Sequence, residues 1–111
     1  MGLYSAAFIF EPGRDDETFH QLNREIAEAA QGTPGFLGSE TWVNDDGTRV
    51  NAVYYWETLE ALETFAAHPR HLEAKRRYAE WYHGFHVIIS RVLESYGDGH
   101  IDHVTPNGRT R

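Results

Sequence analysis

Seven histidines and no cysteine set the chemistry open to this 111-residue chain. Without thiols there is no disulfide, thiolate nucleophile or thiolate metal site. Neither a Gly-x-Ser-x-Gly elbow nor a phosphate-binding glycine loop occurs. Imidazole, amide, carboxylate and aromatic groups remain. His68 and His71 flank Pro69, and an imidazole with its ordinary pKa near ~6.5 can take a proton at neutral pH. His71 is therefore the candidate general base and His68 a candidate wall of the same pocket; the plainer alternative for each is a helix cap or an internal hydrogen bond. Asn51 sits in an otherwise apolar run with Tyr54, Tyr55 and Trp56. A buried amide needs a partner, which makes Asn51 a candidate donor to developing oxyanion charge. Tyr55, Trp56, Trp81 and Tyr82 are candidate substrate contacts. Two more His-x-x-His pairs, His83/His86 and His100/His103, complete the set. A metal site ordinarily takes three or four ligands, and a regular strand would point His83 and His86 to opposite faces, so no metal is expected.

The elements that position these residues follow from periodicity and breakers. Tyr4–Phe10 alternates Tyr4, Ala6, Phe8 and Phe10 with Ser5, Ala7 and Ile9, as in a strand covered on both faces. Asp15-Asp16-Glu17 opens a helix whose stripe is Phe19, Leu22, Ile26 and Ala29. Strands at 36–43 and 48–56 flank the turn Asn44-Asp45-Asp46-Gly47, which makes them antiparallel. Thr58 is placed to cap a helix bearing Leu59, Leu62, Phe65 and Ala66; His68-Pro69 ends it, and a second segment runs from His71 to Trp81. The last strand spans 85–93. The expected architecture is α+β: a ferredoxin-like β-α-β-β-α-β domain over residues 1–95, with a four-stranded antiparallel sheet and a split second helix. Residues 96–111 have turn composition and are expected to form a tail, flexible or draped over a neighbouring subunit.

Composition excludes several classes. Ten basic against seventeen acidic residues give a net charge of −7, which argues against binding a nucleic-acid backbone. No apolar run reaches membrane-spanning length and the N-terminus lacks a signal-peptide pattern. A cytoplasmic location is expected. Apolar residues on both sheet faces (Phe8 and Ile9, Tyr54 and Tyr55, Ile88 and Ile89) exceed what one helix layer covers, so a homodimer is expected to bury the second face.

Gly35-Phe36-Leu37-Gly38, Tyr55-Trp56-Glu57-Thr58-Leu59-Glu60-Ala61, and His68-Pro69-Arg70-His71 followed by Ala74 and Trp81-Tyr82 occur in this order. Together they resemble the antibiotic-biosynthesis-monooxygenase-like family of dimeric α+β barrels over residues 4 to 94. That resemblance implies two facing sheets in a dimer, a pocket in each subunit between sheet and helices, and, in some members, cofactor-free oxidation of a phenolic substrate. It also admits a haem-degrading branch. There the axial histidine would fall at Lys75, with His71 one turn earlier on the same side. The first expectation is a cofactor-independent monooxygenase acting on a small aromatic or quinone-type molecule, with His71 and Asn51 catalytic and Trp56, Tyr55, Trp81, Tyr82 and His68 binding substrate. The alternatives are haem binding or degradation, and a non-catalytic ligand-binding or stress-response protein.

Overall fold

The computed structural model describes residues 2–108. In chain order it contains β1 (Tyr4–Pro12), α1 (Glu17–Gln31), β2 (Phe36–Val43), β3 (Val50–Trp56), α2 (Leu59–Ala66), α3 (Pro69–Arg77), a single 3-10 turn at Tyr78–Glu80, and β4 (Tyr82–Arg91). The four strands form one antiparallel sheet in the order β2-β3-β1-β4, the ferredoxin-like arrangement.

Local chemistry starts each helix. The Asp16 carboxylate accepts from the Phe19 amide at 2.8 Å and caps α1. The Thr58 hydroxyl accepts from the Ala61 amide at 3.0 Å and caps α2. Pro69 occupies the first turn of α3, where its missing N–H costs nothing. The third helix thus starts two residues before the expected His71, and the proline begins one helix as well as ending another. β4 opens at Tyr82, ahead of the expected Phe85.

Pairing fixes which side chains share a face. Tyr4, Ala6, Phe8 and Phe10 of β1 stand beside Trp56, Tyr54, Ala52 and Val50 of β3 and face the helices. The core there is Ala30, Trp56, Ala61, Leu62 and Phe65, with Tyr4, Ala6, Ile26, Ala29, Phe36 and Tyr54 packed against it. The other face carries Ser5, Ala7, Ile9, Asn51, Val53 and Tyr55, joined by Glu40 and Trp42 of β2 and by His86, Ile88 and Ser90 of β4. No helix among the described residues lies over it. Gly35 (φ +94°) makes the turn into β2, where an added Cβ would come within 2.9 Å of the Ala61 Cβ. The register shifts between Phe36 and Gly38.

The C-terminal segment departs from the expected tail. Through residue 108 it folds back onto its own sheet. The Val92 amide donates to the Leu3 carbonyl at 2.8 Å, and His103 reaches Glu40 of β2 at 2.8 Å. Residues 109–111 of the expected tail lie outside the described chain.

Candidate functional site

The face assignment divides the expected site residues. Asn51 and Tyr55 project from the open face, whereas Trp56, Tyr54 and the helices lie on the other. Strand alternation makes this unavoidable, so Asn51 and His71 do not share a cavity within one subunit. Asn51 stands between Trp42 and Ile9, with its Oδ1 buried and without a hydrogen-bond partner among the described residues. Tyr55 donates to Glu40 at 2.7 Å. Burial, with the Glu40 carboxylate beside it, pushes its phenol up to about 12.

Two further candidates make contacts within the fold. The His68 Nδ1 accepts from the Arg70 amide at 3.1 Å and so caps α3. Trp81 is 1% exposed, and its indole donates to Asp16 Oδ1 at 3.2 Å. The Arg77 guanidinium lies over its ring at 4.9 Å, and its carbonyl accepts from Gly13 at 2.6 Å. It bolts the α3–β4 junction to the start of α1.

The remaining candidates gather on the helix side, around Phe65. Its ring lies 5.1 Å from Trp56, 5.5 Å from Tyr54 and 4.9 Å from His71, the last edge to face. His71 is half-buried in the first turns of α3, and its Nδ1 is buried without a partner. The ring also hydrogen-bonds the Ala66 backbone at the end of α2. Nδ1 can act as an acceptor when the ring proton lies on the other nitrogen. Burial lowers the His71 pKa, and the nearby Lys75 charge lowers it further. Both effects favour the neutral imidazole.

Trp56 is fully buried, and its indole Nε1 is likewise without an acceptor. The hydroxyls of Tyr54 and Tyr82 make no hydrogen bond among the described residues, and burial raises both phenols, Tyr82 to about 12. They are close enough for the Tyr54 charge to act on Tyr82. Tyr82 is otherwise walled by Phe10 at 4.6 Å, Phe8 at 5.4 Å and Phe19 at 5.8 Å. The sequence reading missed Tyr54: it named the neighbouring Tyr55, and alternation alone cannot tell which of two adjacent tyrosines faces the helices.

Two hollows lie elsewhere. One of about 320 Å³ runs between α1 and α3, where Glu25 and Arg70 pair at 3.0 Å. The other, about 960 Å³, lies under the C-terminal segment beside Ser5 and Tyr55. The groove holds arginines already neutralised by acids. The unsatisfied interior groups around Phe65 have no such partners, and they mark the stronger candidate for chemistry. Among the described residues no group of three or more His, Asp or Glu is placed to hold a metal ion, and no helix is long and apolar enough to cross a membrane.

Comparison with known proteins agrees with the fold and with the order of motifs. The chain is 27% identical over 90 residues to the protein YqjZ of Bacillus subtilis, covering 80% of this chain and 78% of that one. The fold matches Rv0793 of Mycobacterium tuberculosis with a TM-score of 0.71 at 14% identity, covering 86% of this chain and 99% of the other. It also matches SnoaB, a cofactor-independent oxygenase from Streptomyces nogalater, with a TM-score of 0.69 at 12% identity, covering 86% and 97%. The family model for monooxygenase af470-like proteins matches residues 10–91, a span that holds β2, β3 and the whole α2–α3 break; the chain belongs to the monooxygenase af470-like family.

Proposed function

We propose that the protein is a cofactor-independent monooxygenase for a small phenolic precursor of a quinone, working as a homodimer with its pocket on the helix side of each sheet. The observation that carries this reading is the pair of buried, unpartnered polar atoms beside Phe65, the acceptor His71 Nδ1 and the donor Trp56 Nε1, with the Tyr54 phenol against the same ring and Tyr82 next to Tyr54. Buried polar groups are costly unless satisfied. A flat ligand with a hydroxyl and a carbonyl would satisfy them, while its ring takes up the aromatic contacts now made by Phe65.

In this reading His71, neutral and with Nδ1 free, removes the phenol proton. The Trp56 N–H stabilises charge on the substrate oxygen, the role first given to Asn51. The electron-rich phenolate reduces dioxygen. One oxygen atom becomes a new carbonyl oxygen at a ring C–H carbon of the phenolate. The other leaves as water with that hydrogen and the phenol proton, so that a quinone and one water form from one phenol and one dioxygen. The substrate supplies all the electrons, so no external reductant enters. The second copy would sit on the open face, where Trp42 is 62% exposed, Ile88 is 45% exposed and Asn51 Oδ1 lacks a donor. Such an interface would bury on the order of 1,600 Å².

Oxygen uptake with a panel of hydroxyquinols and reduced quinone precursors tests the chemistry. Stoichiometric consumption of one dioxygen per substrate, with added metal chelator and no reductant, is expected. Uptake that requires flavin or haem, or no quenching of tryptophan fluorescence by any member of the panel, would overturn it.

A further inference from the structure

The C-terminal segment is fastened to the open sheet face by polar contacts, and its apolar groups take little part. Glu40 Oε2 accepts from the Tyr55 hydroxyl at 2.7 Å and from His103 Nε2 at 2.8 Å. The His103 ring stands edge-on to Tyr55 at 5.4 Å. His103 Nδ1 accepts from the Thr105 amide at 3.1 Å, so the ring proton lies on Nε2 and is the one donated to Glu40. Val104 lies in a notch at Gly38, where an added Cβ would come within 2.6 Å of Val104 Cγ1 and where φ is +144°. The segment then closes on itself: Gly108 donates to the Ser95 carbonyl at 2.7 Å and the Ser95 and Thr105 hydroxyls meet at 2.6 Å.

Its large apolar side chains stay open to solvent. Leu93 is 84% exposed, Tyr96 68% and Ile101 82%, and a hollow of about 960 Å³ remains between segment and sheet. Lifting the segment therefore gives up hydrogen bonds, which water can replace, and little hydrophobic burial beyond Val104. It meets Gly38 and Glu40 of β2 and Tyr55 of β3, and with Ser5 of β1 encloses the hollow. Facing sheets pack about 10 Å apart, a gap in which this segment already lies.

We propose that residues 92–108 are a releasable strap that competes with a second copy of this chain for the open sheet face. The inference rests on the homodimer reading above. While the strap is fastened, a partner sheet can reach only the Trp42–Asn51–Ile9–His86 end. Self-association is then weakened in proportion to the small fraction of molecules with the strap off.

Two substitutions release the strap by independent routes. His103→Ala removes the donor to Glu40 and leaves the notch intact; Gly38→Ala fills the notch and leaves the polar contact intact. Hydrogen exchange over residues 95–108 reports the strap, and sedimentation velocity of the full chain reports self-association. Both variants should exchange faster in the strap and should associate more tightly, by about tenfold or more. Faster exchange with unchanged or weaker association would overturn the strap and leave the dimer standing. Strap amides that exchange at free-peptide rates in the parent chain, or at the parent rate in both variants, would also overturn it. A chain that stays monomeric with the strap released would sink the dimer reading as well.

Discussion

Replacing His71 by alanine separates a catalytic imidazole from a structural one, because the structure sets the two costs far apart. The side chain has two favourable contacts to lose. One is its hydrogen bond to the Ala66 backbone across the α2–α3 break, worth about 1 kcal/mol net. The other is its edge-to-face contact with Phe65 at 4.9 Å, worth about 0.5–1.5 kcal/mol. Against these stands the unpartnered, buried Nδ1, whose removal returns about 1–3 kcal/mol of desolvation. Alanine is also the better helix former, by a few tenths of a kcal/mol in α3. The terms nearly cancel, and urea denaturation should find His71→Ala within about 1 kcal/mol of the parent. Turnover should fall by about 10²–10⁴ if the ring is the general base. The pH dependence adds an independent check. The folded-state pKa of His71 lies below its unfolded value, so between the two the unfolded chain binds more protons. The contribution to stability is full above the ordinary histidine pKa and is lost as pH falls toward the folded value. His71→Ala should flatten that slope on the mildly acidic side. A variant that loses more than about 2 kcal/mol and still turns substrate over would refute the assignment and make His71 a tie between the two helices.

Glu40→Gln should alter the acid limb of stability. Burial works to raise the Glu40 pKa, but hydrogen bonds from Tyr55 and His103 more than offset it and hold the carboxyl below the ordinary glutamate value. Its contribution is present above that ordinary value and lost as pH falls through the folded one; urea midpoints between about pH 3 and 6 should show a shallower decline in the variant. Trp81→Phe should cost about 1–2 kcal/mol through the lost bond to Asp16 and the weaker stack under Arg77, with turnover unchanged. A large loss of activity at full stability would return Trp81 to the substrate site. Elemental analysis of protein purified without a histidine tag should find zinc, iron and copper well below one equivalent; a stoichiometric metal whose removal abolishes activity would contradict the proposed chemistry.

Features decided within a few residues could be read from the sequence, and those decided by distant parts of the chain could not. Asp16 and Thr58 cap helices because each meets an amide three residues on, and the motif order around Gly35, Trp56 and His68-Pro69 pointed to the architecture that the strand order displays. Periodicity sorted β3 into two sets, Asn51-Val53-Tyr55 and Ala52-Tyr54-Trp56, without saying which one the helices would cover. That choice depends on where Phe65 and Ala30 arrive, so Tyr55 and Asn51 were grouped with His71 although the sheet separates them. Trp81 looked like a pocket aromatic beside Tyr82. Its partner Asp16 lies 65 residues away in sequence, and nothing local announces a contact of that span. The C-terminal segment has no apolar period at all, and it is ordered by Glu40, 63 residues from His103.

The two faces of the sheet thus divide the work by the kind of satisfaction they lack. On the helix side the interior is packed with aromatic rings, yet His71 Nδ1 and Trp56 Nε1 remain unpartnered, and the tyrosine phenols beside them are pushed up by burial. Buried groups left without a partner are costly, and a ligand with both donor and acceptor atoms would satisfy this donor and this acceptor together. On the open side the polar groups at one end are satisfied by the chain's own His103. At the other end Trp42 is 62% exposed and Asn51 Oδ1 is left waiting. The matched family region ends at residue 91, and the strap begins where that region stops. The proposed function and the proposed strap put substrate chemistry and assembly on opposite faces of one sheet: substitutions around Phe65 should change turnover without changing association, and those at Gly38 or His103 should do the reverse. A Phe65-face variant that alters dimerisation as strongly as turnover would show that the faces are coupled through the sheet, and the division would fail.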